Sequence, residues 1–300
     1  MTSSIGRILR WSLLVAILLV AGLGGWVYAA SRAILTKRYP IPAASVTIPS
    51  DPLAIARGEH LVMSVGACVT CHGPDMGGLV YADMGPVGVV AGRNLTRGRG
   101  GIGGQFTDTD WVRAIRYGLH ADGTSLIMMP SEVYTRFTDA DLGAIVAYLK
   151  QLPPVDREMP ASRFGLLGKV LLATGKLDIL TAPKTFHEGT AASAPPHVTA
   201  GYGRYLADVS GCHGCHGPGL SGGHVDGPAN LPPAANLTPA GLGAWTQADF
   251  VRAIREGTRP DGTAINEFMP WKSYASMTDS ELEALWLYFR SVPAKASGGR

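Results

Sequence analysis

Two short segments concentrate the chemistry of this chain. The first is Cys68-Val69-Thr70-Cys71-His72 and the second is Cys212-His213-Gly214-Cys215-His216. Together they use all 4 cysteines of the 300 residues. Two thiols separated by two residues and followed at once by an imidazole form the attachment signature of c-type haem. The thiols add to the two vinyl groups of one porphyrin, and the adjacent histidine donates its imidazole to the iron. Zinc knuckles of this kind stand about 15–20 residues apart, whereas Cys71 and Cys212 lie far apart and each motif is complete in itself. A dithiol redox site calls for a βαβ context, and structural disulfides would leave both histidines unexplained.

The surrounding sequence is duplicated. Asn94-Leu95-Thr96 is matched by Asn236-Leu237-Thr238, Arg113-Ala114-Ile115-Arg116 by Arg252-Ala253-Ile254-Arg255, and Asp122-Gly123-Thr124 by Asp261-Gly262-Thr263. Met129-Pro130 is matched by Met269-Pro270, and Tyr134 by Tyr274. A period this long means duplicated domains and not a solenoid, whose units run about 20–50 residues. Because Met is a common sixth ligand of c-type haem, the recurring Met129 and Met269 are the candidate distal ligands, with Met128 as the rival in the first copy. Met63 and Met277 read as core filler. His213, between two cysteines, reads as exposed. His60, His120, His187, His197 and His224 have no repeat partner and read as surface residues. Pro86 and Pro228 follow the motif histidines at similar spacing, and a carbonyl in either loop is a candidate acceptor for the imidazole N–H; an ordinary turn is the alternative.

The elements that must position these groups are helical. Residues 55–67 and 200–211 read as helices leading into the cysteine motifs. Thr107 with Asp110, and Thr246 with Asp249, resemble capping boxes at the start of a second helix, with Gly118 and Gly257 as stops. Thr138 with Asp141, and Thr278 with Glu281, precede a last helix whose apolar residues fall on one face. No stretch sustains period-two alternation, so the expected class is all-α, with Gly-rich loops between each motif and the second helix. Residues 164–180, apolar but interrupted by glycines, read as a helix packed across the two domains, with a partner- or membrane-contacting surface as the alternative. Residues 190–196 read as a flexible connector.

Residues 11–30 carry no charge and, as a helix, would span roughly 30 Å, the thickness of a bilayer core. Arg7 and Arg10 precede the run and no acid occurs before Asp51, so the positive-inside rule leaves 1–10 in the cytoplasm and exports the chain beyond residue 30. Val27-Tyr28-Ala29 loosely fits a signal cleavage site, but the run is longer than an ordinary signal core, and a retained inner-membrane anchor is preferred. The formal net charge of +3 is therefore misleading. Five basic residues within 1–38 leave residues 39–300 at −2, which removes nucleic acid as a partner. Hydrophobic residues at 46% exclude a disordered chain.

On these residues the chain resembles the class I c-type cytochromes, and each copy is similar to domains of the cytochrome c subunits of bacterial membrane-bound dehydrogenases for alcohols, aldehydes and sugar acids. The resemblance covers roughly 54–155 and 198–295. It implies two tandem class I cytochrome c domains behind a transmembrane helix, with 31–53 as linker and 156–197 as connector. It implies two covalently bound haem c groups, attached at Cys68, Cys71, Cys212 and Cys215, with His72/Met129 and His216/Met269 axial pairs. The subunits in question carry three haem motifs where this chain has two. The expected function is periplasmic electron transfer without catalytic residues, between a dehydrogenase or quinol-oxidising partner and a respiratory acceptor such as a terminal oxidase. The rival class is a dihaem redox enzyme of the peroxidase or sulfur-compound dehydrogenase type. Such an enzyme needs a haem open to substrate, and the matched Met-Pro segments argue against it.

Overall fold

The computed structural model describes residues 2–40, 45–185, 196–225 and 231–299. His187, Pro228 and most of the 190–196 connector lie outside them. The chain begins with one long helix, α1 (Thr2–Leu35), whose apolar side chains are exposed along most of its length. Its last turns differ: Val27 and Ser31 are buried, and Ile34 and Leu35 pack against a small cluster of Val90, Leu172 and Ile179.

The first repeat comes next as α2 (Pro52–His60), a π-helical turn (Leu61–Val65), α3 (Val69–His72), strands β1 (Leu79–Asp83) and β2 (Gly88–Gly92), α4 (Asp108–Tyr117), α5 (Ser131–Tyr134) and α6 (Asp139–Leu149). After it stand β3 (Arg163–Phe164), α7 (Leu166–Ala173) and α8 (Ala182–Thr185). The second repeat is α9 (Ala200–Val209), α10 (Cys212–His216), α11 (Pro239–Leu242), α12 (Gln247–Glu256), α13 (Trp271–Tyr274) and α14 (Asp279–Ser291).

The molecule is helix-rich, roughly as the all-α expectation has it, with one small sheet added. β1, β2 and β3 form a small antiparallel sheet in that order, in a stretch that reads as a Gly-rich loop. Glycines 85, 88 and 92 and a bulge between Val80 and Ala82 break the alternation that would have revealed it. The expected helix 55–67 is also split, since its second half is the π turn. The 164–180 segment does not bridge the repeats. Its α7 lies on α1 and β3, and α8 lies on α4 and α5.

The capping logic holds at α4 and α12, where Thr107 and Asp110, and Thr246 and Asp249, exchange both bonds of the box, and Gly118 and Gly257 close the helices at φ 61° and 65°. The matched arginines are braces: Arg116 reaches Asp139 and the Phe137 carbonyl, and Arg255 reaches Asp279 and the Ala275 carbonyl. Each ties the second helix to the start of the last.

Within each repeat the entry and last helices cross at a glycine. A β-carbon on Gly58 would overlap the Ala144 carbonyl, and one on Gly203 the Ala284 carbonyl. Backbone cannot yield there as a side-chain tip can. Gly203→Ala is expected to lower stability by about 3 kcal/mol, the upper end of ordinary overpacking, read as a fall in the thermal unfolding midpoint.

The two repeats meet as an isologous pair. Arg57 and His60 on α2 correspond to Tyr202 and Tyr205 on α9, and Asp141 on α6 to Glu281 on α14. Arg57 binds Asp141 at 3.2 Å as Tyr202 donates to Glu281 at 3.3 Å. His60 meets Glu281 across the interface at 2.7 Å as Tyr205 donates across it to Asp141. Arg57 and Tyr202 touch on the pseudo-twofold axis at 3.2 Å, and Arg57 also reaches Glu281 at 2.9 Å. His60, expected at the surface, is thus an interface residue. Asp141 caps its helix only through its backbone N–H because its carboxylate is committed here, while Glu281 is long enough to do both.

Candidate haem sites

Each cysteine motif occupies a single helical turn. In α3 the N–H groups of Cys71 and His72 both donate to the Cys68 carbonyl, at 3.2 and 3.0 Å, so both thiols and the imidazole belong to one turn. Gly73 and Gly217 end the two turns in nearly the same left-handed conformation, φ 77° and 80°. The chain then folds back so that Gly78 N–H reaches the His72 carbonyl at 2.8 Å and Gly222 N–H the His216 carbonyl at 2.9 Å. The end of β2 packs against the first turn so closely that a β-carbon on Gly92 would overlap the Cys71 carbonyl.

The imidazoles are fixed by backbone. His72 Nδ1–H donates to the Arg93 carbonyl at 2.8 Å and His216 Nδ1–H to the Ala235 carbonyl at 2.7 Å. Burial lowers both pKa values, against the opposing pull of those carbonyls. The rings are therefore neutral, with the Nε2 lone pair available as a ligand. The acceptor is not at Pro86, whose carbonyl instead receives Leu167 N–H.

It precedes the repeated Asn-Leu-Thr, which explains that motif. Asn94 is fully buried. It donates to the carbonyls of Val155 and Arg157 and accepts from both the N–H and hydroxyl of Thr96. Asn236 repeats this with Lys295 and Thr238. The motif clamps the loop that carries the histidine's acceptor. Asn236→Ala is expected to cost about 1–3 kcal/mol from the partners left unpaired. It should also shift the paramagnetic NMR resonances of the His216 ring in the oxidised holoprotein.

Met129 and Met269 are both half-buried against the core. Each precedes a proline with nearly the same backbone (Pro130 φ −80°, ψ 55°; Pro270 φ −77°, ψ 45°) that opens α5 or α13. Those helices end in Tyr134 and Tyr274, whose hydroxyls donate to the Gly66 and Ser210 carbonyls, each at 2.6 Å. Gly66 and Ser210 stand two residues before the first cysteine of each motif. The tyrosines therefore tie the methionine segment to the cysteine turn. Their recurrence in the repeat signals a shared role; the long-range bond itself has no sequence signature. Met128 is 39% exposed at φ 59°, and its repeat partner is Phe268. Met63 packs on the core and Met277 is buried, as expected. Met76, also buried, is matched by Leu220 in the same left-handed backbone, which gives it a packing role. His213 is partly exposed, beside Asp208 and Tyr288, and His120, His197 and His224 are exposed, as expected.

The donor set fits haem c. Burial pushes the Cys68 and Cys212 thiols up to about 12 and Cys71 to about 11. A raised thiol pKa disfavours a thiolate metal site, whose ligands must be deprotonated. No cluster of three or more His, Cys, Asp or Glu able to hold a bare metal ion occurs among the described residues. The Trp271 indole N–H, on the residue that directly follows Met269-Pro270, is buried without a partner among the described residues, as a donor directed at a bound group would be.

Comparison with known families decides the identity. Residues 53–149 match the model for the cbb3-type cytochrome c oxidase subunit III, and residues 200–293 match the model for cytochrome c. The chain is a dihaem class I c-type cytochrome. Two covalently bound haem c groups are its cofactors. The cytochrome is 27% identical to the fructose dehydrogenase cytochrome subunit of Gluconobacter japonicus, over 82% of this chain and 54% of that protein. It is 30% identical to the gluconate 2-dehydrogenase cytochrome c subunit of Pantoea cypripedii, over 80% of this chain and 60% of that one. It is 27% identical to a diheme cytochrome c-type protein of Cereibacter sphaeroides, over 82% of this chain and 91% of the relative. The chain thus spans little more than half the length of the two dehydrogenase subunits.

The two attachment turns stand near each other. Val133 of α5 packs beside Gly211, the residue before Cys212, and Arg136 reaches Asp208 of α9 at 3.9 Å. The isologous interface therefore brings the two attachment turns into one neighbourhood.

Proposed function

We propose that this cytochrome is a membrane-anchored electron-transfer subunit, not itself an enzyme. It would pass electrons from a dehydrogenase or quinol donor to a respiratory acceptor on the periplasmic side of the inner membrane. The observation that carries this reading is the isologous packing that brings the two attachment turns into one neighbourhood. A bound haem supplies a one-electron iron couple, and the chain supplies its mounting. Cys68, Cys71, Cys212 and Cys215 hold the porphyrins by thioethers. His72 and His216 would ligate the iron through Nε2 and Met129 and Met269 through their sulfur, so that neither haem would need an exchangeable ligand. The domains would be 54–155 and 198–295, a division supported by the repeated element order. The dehydrogenase names of the relatives support the donor class.

A retained anchor is supported by the end of α1. Cleavage after Ala29 would divide the face formed by Val27, Ser31 and Ile34, which packs on the first repeat. The test is spectroscopic. The purified full chain should show two low-spin haems that do not bind cyanide at rest, and a quinone-dependent dehydrogenase lacking its own cytochrome should reduce both. A high-spin haem, or ready cyanide binding, would overturn the carrier reading in favour of an enzyme.

A further inference from the structure

The helix α7 presents an apolar pair that none of the described residues covers. Leu166 is 76% exposed and Leu167 46%, while Gly168 and Leu172 on the opposite side are buried. This helix packs on α1. Among the described side chains of α1, only Val27, Ala30, Ser31, Ile34 and Leu35 are covered at all, so α7 must lie along those turns.

Their height relative to a bilayer can be read from the sequence. The uncharged run begins at Trp11 and ends at Ala30, and about 20 residues of helix cross the roughly 30 Å hydrocarbon core. Exposed Trp26 and Tyr28 stand at its outer end, where aromatic residues mark the membrane–water interface. The helix α7 is therefore level with the outer edge of the span. Basic side chains surround it. Arg32, Lys37 and Arg38 lie just beyond the span, and Arg163, Lys169 and Lys176 flank or lie on α7. Asp178 nearby is paired with Lys184, and Asp83 in the β1–β2 turn accepts from Gly85 N–H.

We propose that α7 is an interfacial membrane contact. Leu166 and Leu167 enter the boundary between headgroups and acyl chains, and the basic residues meet anionic headgroups, as in amphipathic helices that lie about 5–10 Å deep. The occupant is lipid and not a protein partner, because the apolar pair is continuous with the lipid-facing surface of α1. The inference rests on the anchored reading above. Its consequence is a second point of attachment. The first repeat is held in one orientation instead of swinging on a tether, so a partner in the membrane plane always meets the same face.

The native cysteines are occupied by haem, so one added cysteine is labelled uniquely. The full-length holoprotein is reconstituted in vesicles of phosphatidylcholine and phosphatidylglycerol. Nitroxide labels are placed at Leu166→Cys, at Val15→Cys within the span, and at Glu267→Cys on the second repeat. Power saturation against oxygen and a water-soluble nickel chelate reads depth. The expected result is an oxygen-to-nickel accessibility ratio at 166 several-fold above that at 267 and below that at 15. A ratio at 166 equal to that at 267, with position 15 still in lipid, overturns this proposal alone. An aqueous ratio at position 15 as well overturns the anchored reading with it. Low accessibility of 166 to both reagents means that protein covers α7, and overturns the lipid contact.

Discussion

Glu281→Ala is expected to lower the stability of the cytochrome by about 3 kcal/mol and to let its two domains separate. The Glu281 side chain is 4% exposed and accepts from Arg57, His60 and Tyr202, and from the backbone N–H of Thr278. Removing one member of a buried charged pair costs roughly 3–5 kcal/mol. The lower end applies because Arg57 keeps Asp141. The acid response gives an independent figure. Burial alone would raise the Glu281 pKa, but His60, Thr278 N–H and Arg57 outweigh it and hold the value at about 2, against an ordinary 4.5. A depression of that size is again about 3 kcal/mol.

The sign of the pH dependence is fixed by this depression. The folded pKa lies below the unfolded one, so the stabilisation is fully present above the unfolded value of 4.5 and is lost as pH falls toward 2. Small-angle scattering of the wild-type holoprotein should show the interface opening in that window, and the variant should lack this part of the acid transition. Arg252→Ala, which breaks only an exposed i,i+3 pair with Asp249, is the control and should change stability by less than about 0.5 kcal/mol. If the two variants melt alike, the interface is not held by this network.

That interface is invisible in the sequence, and the reason is specific. The repeat is legible where both copies keep the same residue for the same local purpose: the cysteine turn, the Asn-Leu-Thr clamp, the capping boxes, the Met-Pro step. Across the pseudo-twofold the equivalent positions differ in type, Arg57 against Tyr202 and His60 against Tyr205, so matching by identity passes over them. The same limit explains the histidine acceptor. Spacing directs attention to Pro86, yet the carbonyl that matters belongs to Arg93 in one copy and Ala235 in the other. A backbone acceptor leaves no trace in its own side chain. Its trace is the asparagine beside it, which is visible as a repeat but without a purpose. The hairpin of β1 and β2 is hidden because its pairing partner is local and glycine-broken, so neither strand carries the period that a half-buried strand would show.

The axial assignment yields the second large effect. Met269→Ala is expected to abolish the methionine–iron charge-transfer absorption of one haem and to lower its potential by on the order of a hundred millivolts, a modest part of the roughly 0.8 V over which axial ligands set haem potentials. Thioether ligation favours the reduced iron and raises the potential, so its loss acts in that direction. The fold should tolerate the change. Met269 is only half-buried, and the bonds that hold its segment, Trp271 N–H to the Met269 carbonyl and Tyr274 to Ser210, do not use its side chain. The other haem should keep its absorption, because Met129 lies in the other repeat with its own tyrosine tie. Tyr274→Phe separates ligation from positioning. It leaves the thioether in place but frees the segment from the cysteine turn, so the absorption should weaken or broaden without vanishing. An unchanged spectrum in Met269→Ala would exclude Met269 as the ligand. Loss of absorption from both haems would instead mean that the two sites are not built independently, against the duplicated geometry of their turns, clamps and tyrosine ties.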